Sequence, residues 1–189
     1  HGFEKARGTD FTKHSVAVIG DSTFLHSGVT SLMDVVYNKG ASTVLILDNS
    51  ITGMTGHQQN PITGHTLKGE ETSIVDLEML CHALGVKRVR IEDPFDLEGL
   101  EKAIKEETAV EEPSVIIVQR PCALLKYVKF DGPMHINSEK CKKCGACMKI
   151  GCPAISKTES GMVIDTSLCN GCGLCTKVCR FGCIEKGAE

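Results

Sequence analysis

Apolar residues gather in four short runs along the first two-thirds of the chain, and the stretches between them follow a different rhythm. Residues 15–20 (SVAVIG), 42–48 (STVLILD), 87–93 (KRVRIED) and 114–120 (SVIIVQR) have the β-branched, nearly continuous apolar character of buried parallel strands. Between them apolar positions recur at helical spacing over residues 28–38, 73–84 (ending at Gly85) and 97 to about 107. The opening HGFEKARG reads as the end of a helix. Such strand–helix–strand alternation predicts an α/β layer with a parallel sheet. From Asn49 to about Glu70 a Gly/Thr/Gln/Asn-rich stretch shows no periodicity at all, and a loop that long in a compact domain is usually functional.

The last third has no such rhythm; it is a repeat. Residues 136–149 (INSEKCKKCGACMK) and 164–177 (IDTSLCNGCGLCTK) superpose at a period of 28, with Cys141/Cys169, Cys144/Cys172, Gly145/Gly173 and Cys147/Cys175 coinciding. Gly132-Pro133 closes the linker ahead of it, so the expected domains are residues 1–130 and 131–189. Nine of the eleven cysteines lie between Cys141 and Cys183, and no segment directs secretion, which favours metal over disulfides. Each Cys-x2-Cys-x2-Cys run has one distal partner, Cys152 or Cys179, giving eight thiolates, the number two 4Fe–4S cubes require. A pair of structural zinc sites is the alternative, although zinc is usually held by paired Cys-x2-Cys knuckles rather than triplets.

Over about 50 residues this repeat resembles the bacterial-type ferredoxin domain, a small α+β unit. The resemblance implies crossed ligation: Cys141, Cys144, Cys147 and Cys179 on one cluster, Cys169, Cys172, Cys175 and Cys152 on the other. Gly145, Gly171 and Gly173 let the backbone wrap closely around the cluster sulfurs. Two departures stand out. Cys152 follows Cys147 by one residue more than the family spacing, and Arg180 occupies the usual proline position after Cys179. Cys183 is surplus to the eight, stands where the family tends to have a small apolar residue, and is expected to be packed core.

Gly20-Asp21-Ser22 at the end of the first run and Asp48-Asn49 at the end of the second resemble the thiamin diphosphate fingerprint. The chemistry fits that spacing. A diphosphate needs a divalent metal, and Mg²⁺ takes oxygens: the Asp21 carboxylate, the Asn49 amide and the Ile51 carbonyl. The N–H groups of Ser22 and Thr23, at the approach to the following helix, suit phosphate oxygens. The longer segments GDSTFLHSG (20–28), DNSITGMTGHQQNPITG (48–64) and VQRPCALL (118–125) look like the α-subunit of the indolepyruvate:ferredoxin oxidoreductase family. That resemblance implies a thiamin-diphosphate-binding domain followed by a ferredoxin domain, with Thr55 and Gly56 near the diphosphate. It implies conversion of an arylpyruvate, coenzyme A and oxidised ferredoxin into an arylacetyl-CoA, CO₂ and reduced ferredoxin. It also implies a smaller β-subunit as partner, an external ferredoxin and an anaerobic cytoplasm. Met54-Thr55-Gly56-His57-Gln58, where relatives acting on other 2-oxoacids tend to have Asn-Thr-Gly-Gly-Gln, favours the arylpyruvate branch. So does Ser22, where those relatives commonly have Gly. A pyruvate-type oxidoreductase, or an electron carrier with a cofactor-free α/β scaffold, are the competing readings.

His57 and His26 read as turn residues before substrate contacts, Cys81 as core, and Cys122 as a thiol without chemistry. The carboxylate that activates the cofactor in this family has no candidate in the sequence; that Glu and the early strands of the domain are expected ahead of His1, leaving this stretch inactive alone. Charge adds a little. Net charge is −3 overall, but residues 137–189 carry eight Lys/Arg against five Asp/Glu, and Lys142, Lys143, Lys149, Lys177 and Arg180 can offset cluster charge. Neither nucleic-acid binding nor a membrane span is expected.

Overall fold

In the computed structural model, which describes residues 1–187, the four apolar runs form β1 (Val16–Gly20), β2 (Thr43–Asp48), β3 (Arg88–Glu92) and β4 (Ser114–Gln119). They make one parallel sheet in the order β1-β2-β4-β3. Around it lie α1 (Gly2–Arg7), α2 (Asp21–Thr23), α3 (Val29–Tyr37), α4 (Leu77–Ala83) and α5 (Leu97–Thr108). The chain divides into two compact units, His1–Cys122 and Ala123–Glu189, and the sheet belongs to the first.

The alternation of side chains along β2 and β4 sorts the core onto two faces. Val44, Ile46, Val115 and Ile117 pack with Phe24, Leu32, Leu77 and Cys81 on one side. Leu45, Ile116 and Val118 meet Ala103 of α5 on the other. These central strands are buried as expected. β1 is not: Val16 is 39 % and Val18 58 % exposed, because β1 is the sheet's edge and its outward side chains have no covering element among the described residues.

Two helices also begin elsewhere than their sequence patterns suggest. The helical course toward α3 starts at Asp21 and passes through a π-type turn, Phe24–Gly28, instead of beginning near Gly28. α4 starts at Leu77, not Ser73, with the Asp76 carboxylate accepting the Met79 N–H at 2.8 Å as its cap.

α5 is fixed to β3 by an ion pair buried on its acidic side. Glu107 is 2 % exposed and its carboxylate accepts two hydrogen bonds from Arg88, at 2.8 and 3.0 Å. Removing Arg88 leaves the buried carboxylate with only the Arg90 guanidinium, 3.8 Å away, and no close hydrogen bond from it. Arg88→Met is therefore expected to destabilise this unit by about 2–3 kcal/mol, read as a lowered urea midpoint; an unchanged midpoint would show the pair to be ornamental.

The second unit is built from three-residue strands. β5 (Met134–Ile136) pairs antiparallel with β8 (Ile184–Lys186), and β6 (Ile155–Lys157) with β7 (Met162–Ile164). A 3-10 turn at Ala146–Ile150 and α6 (Leu174–Val178) occupy equivalent places in the two repeats. Each is entered through a left-handed glycine, Gly145 (φ 73°) and Gly173 (φ 75°), a conformation that a side chain would strain. Among the described residues no helix is long and apolar enough to cross a membrane.

Candidate cofactor cleft and thiol cages

Parallel strands present all their carboxyl ends on one edge of the sheet, which is where α/β folds bind ligands. Here Gly20 of β1 registers with Leu47 of β2, and Asp48 of β2 with Gln119 of β4. Asp21 and the Asp48-Asn49 pair are thus brought side by side from positions 27 residues apart. They wall an open cleft of about 830 Å³, together with Gly20, Ser22, Thr23, Ile51 and Thr55. Gly56, expected with them, is not part of the wall; it turns the loop tip at φ 121°.

The two carboxylates differ in how they are satisfied. Asp48 accepts from the Ser50 N–H at 2.8 Å and the Gln119 amide at 2.7 Å. Asp21 is 4 % exposed; one of its oxygens accepts the Ser22 N–H, and the other, Oδ2, is buried with no hydrogen-bond partner. Burial pushes the Asp21 carboxyl above the ordinary carboxylate range; the Ser22 N–H works against that rise and neighbouring Asp48 adds to it. An unpartnered buried carboxylate oxygen beside a second carboxylate is a costly arrangement without a cation. Mg²⁺ fits it. The Asn49 side-chain oxygen accepts the Ile51 N–H at 3.2 Å and keeps a further lone pair for a metal. The Ser22 N–H, expected to face phosphate, is instead engaged by Asp21.

Three residues of the site are not legible as such in the sequence. Thr52 donates to the Ser22 hydroxyl at 3.0 Å and accepts from Asn60 at 3.4 Å, which holds the long loop against the first helical turn. Arg120, on the cleft wall, is steadied by Asp93 at 2.7 Å and lies 3.8 Å from the centre of the Phe95 ring. It adds a guanidinium, paired with Asp93, to a cleft also lined by the Asp21 and Asp48 carboxylates. The only signal for it is the Arg-Pro step after β4. His26 lines the cleft; His57 does not, and sits in a turn at φ 61°.

In the second unit the cysteines fall into two groups. The Cys147 thiol is pushed up by burial and then by Cys141, Cys144 and Cys179 beside it. Cys175 is pushed up to about 11, by burial first and then by Cys172, Cys169 and Cys152. Each group joins one triplet to the distal cysteine of the other run. Backbone N–H groups already address the sulfurs, Lys143 to Cys141 and Met134 to Cys169, both at 3.4 Å. The buried Cys147 and Cys175 thiols resist ionisation until a metal replaces their protons. Among the described residues no three His, Cys, Asp or Glu side chains converge on a single-ion site; a cube, taking one thiolate per iron corner, does not require them to. Gly171 permits the close approach of the linker: a Cβ there would stand 2.1 Å from the Gly132 carbonyl oxygen.

Comparison with known proteins divides the chain in the same way. Residues 2–118 match the family of thiamine pyrophosphate enzymes, C-terminal TPP binding domain, and residues 162–185 match the 4Fe-4S binding domain. The chain is 37 % identical over 183 residues to the indolepyruvate oxidoreductase subunit IorA of Pyrococcus horikoshii, covering 92 % of this chain and 28 % of that one. It is 38 % identical over 180 residues to IorA of Thermococcus kodakarensis, covering 90 % and 28 %. The chain thus spans little more than a quarter of the length of these relatives. A solved 2-oxoglutarate:ferredoxin oxidoreductase from Magnetococcus marinus shares the fold, with a TM-score of 0.54 at 17 % identity over 68 % of this chain and 48 % of that one.

Proposed function

The chain belongs to the thiamine pyrophosphate enzymes through their C-terminal TPP-binding domain, and from that premise we propose that it is the cofactor-anchoring and electron-relay portion of a 2-oxoacid:ferredoxin oxidoreductase acting on arylpyruvates. The observation that carries the reading is the unpartnered Oδ2 of buried Asp21 at the carboxyl ends of the strands. A scaffold without a cofactor has no use for such a carboxylate.

In this reading Asp21, Asn49 and the Ile51 carbonyl would hold Mg²⁺, and Arg120 with Thr23 of the helical turn would face the diphosphate. Bound thiamin diphosphate supplies carbanion stabilisation at the 2-oxo carbon. The chain's own residues bind and orient: Leu47, Met54, Pro94 and Val118 give the open cleft an apolar wall. Cys141, Cys144, Cys147 and Cys179 hold one cluster and Cys169, Cys172, Cys175 and Cys152 the other, carrying electrons singly toward an external ferredoxin. No glutamate lines the cleft among the described residues; the activating carboxylate is supplied from outside this sequence, and a smaller β-subunit completes the enzyme.

The arylpyruvate assignment draws on the apolar wall and on the names of the similar proteins. It is tested by mixing the assembled enzyme anaerobically with coenzyme A and a 2-oxoacid and following bleaching of the cluster absorbance. Indolepyruvate is expected to reduce the clusters at least tenfold faster than pyruvate. Faster reduction by pyruvate would sink the substrate assignment and leave the cofactor reading standing.

A further inference from the structure

The cage of Cys141, Cys144, Cys147 and Cys179 contains a fifth thiol. Cys183 is 4 % exposed, lines the same small pocket as those four, and its Sγ lies 3.3 Å from the Sγ of Cys179. A tight turn brings the two sulfurs together. Cys179 ends α6, Gly182 adopts φ 56° and donates to the Cys179 carbonyl at 3.3 Å, and β8 begins immediately after Cys183. The backbone of Cys183 is pinned. Its carbonyl accepts the Asn137 N–H at 2.8 Å, and the next residue, Ile184, registers with Ile136.

The internal repeat provides the comparison. Ala154 precedes β6 as Cys183 precedes β8, and its carbonyl accepts the Asp165 N–H at the same 2.8 Å, Asp165 being the repeat counterpart of Asn137. Ala154 is 1 % exposed. A methyl group therefore fills this position in the other half of the unit, and packing alone does not call for sulfur. Iron–thiolate bonds are about as long as the roughly 2.3 Å typical of zinc–thiolate bonds. A sulfur in van der Waals contact with Cys179 is one rotamer change from the iron corner that Cys179 serves.

We infer that Cys183 is a reserve iron ligand for the first cluster, able to take the corner of Cys179 when that thiolate is absent. Its thiol proton leaves to solvent as the iron–sulfur bond forms, and no electron moves. The inference rests on the proposed assignment of that cluster to Cys141, Cys144, Cys147 and Cys179.

The test measures iron and acid-labile sulfide in the full-length protein after anaerobic reconstitution, so that poorly accumulating variants are still scored. It is paired with EPR of the reduced protein. Cys179→Ala is expected to keep wild-type iron and a two-cluster spectrum, and Cys183→Ala alone to keep both as well. Cys179→Ala/Cys183→Ala is expected to fall to roughly half the iron. Cys152→Ala, whose side of the repeat has Ala154 in place of a spare thiol, is expected to fall to half by itself. If Cys179→Ala binds no more iron than the double variant, or if the double variant keeps full iron, Cys183 is no ligand and the inference fails. Wild-type protein that takes up no iron would instead overturn the cluster assignment beneath it.

Discussion

Asp21→Ala is expected to weaken magnesium-dependent binding of thiamin diphosphate by at least 100-fold, and Asp21→Asn, tested without metal, to raise the melting temperature. Both expectations come from one oxygen. Oδ2 of Asp21 is buried without a partner, next to a second buried carboxylate whose own hydrogen bonds are complete. With Mg²⁺ bound, that oxygen is a charged ligand, and its loss at about 1.4 kcal/mol per factor of ten amounts to roughly 3 kcal/mol. Without Mg²⁺ it is a desolvated charge facing a like charge. The amide of Asn keeps the shape and the acceptor for the Ser22 N–H but drops the charge, so the metal-free domain should gain about 1 kcal/mol, or about 4 °C. Titration calorimetry with thiamin diphosphate and Mg²⁺ on the full-length protein reads the first effect, and thermal melting in chelator reads the second. If neither moves, Asp21 is a structural carboxylate and the cleft holds no metal there.

Much of this cleft is legible in the amino-acid sequence. The Asp21 and Asn49 positions follow from two strand ends and a fixed separation, since a strand–helix–strand unit always delivers those ends to one edge. What local pattern does not show is what other parts of the chain deliver. Arg120 directly follows β4, which inserts between β2 and β3, and strand order depends on packing that no local pattern encodes. Thr52 and Asn60 act only because an aperiodic loop folds back on Ser22. The exposure of β1 has a similar origin: an apolar run shows what a strand can bury, not whether anything covers it. The late start of α4 is a local contest decided at a distance. Ser73 and Asp76 are both acceptable caps, but the Thr72 and Val75 N–H groups donate to the carbonyls of Gly64 and Pro61, which holds the intervening residues extended until Asp76. In the repeat, the crossed assignment of each distal cysteine comes from the ferredoxin resemblance, not from any local pattern. Cys183 is buried, as its apolar position in the family suggests, but it is in sulfur contact with Cys179, which no spacing rule foretells.

Removing iron should abolish the structure of the second unit while the first keeps its fold. The reason is what the second unit has for a core. Its buried cluster consists of Met134, Cys147, Ile155, Met162, Cys175, Cys183 and Ile184, and four of the eight side chains packed against it are also cysteines. Two sheets of two three-residue strands each offer little ladder energy, and isolated two-stranded pairs are marginal in water. A unit of this size with so few aliphatic side chains does not offset the entropy of ordering its backbone, so metal binding is folding free energy here. The first unit differs: its sheet is buried at β2 and β4 between two aliphatic clusters that contain no cluster-cage cysteine. Anaerobic iron chelation followed by calorimetry and amide NMR is therefore expected to show one remaining cooperative transition, with resonances of residues 123–187 collapsed to unfolded shifts. Thiamin diphosphate binding to the full-length protein should persist. Dispersed resonances from the second unit in iron-free protein would mean that its short strands and glycine-hinged turns suffice alone, and that the thiols are lodged in a fold they do not create.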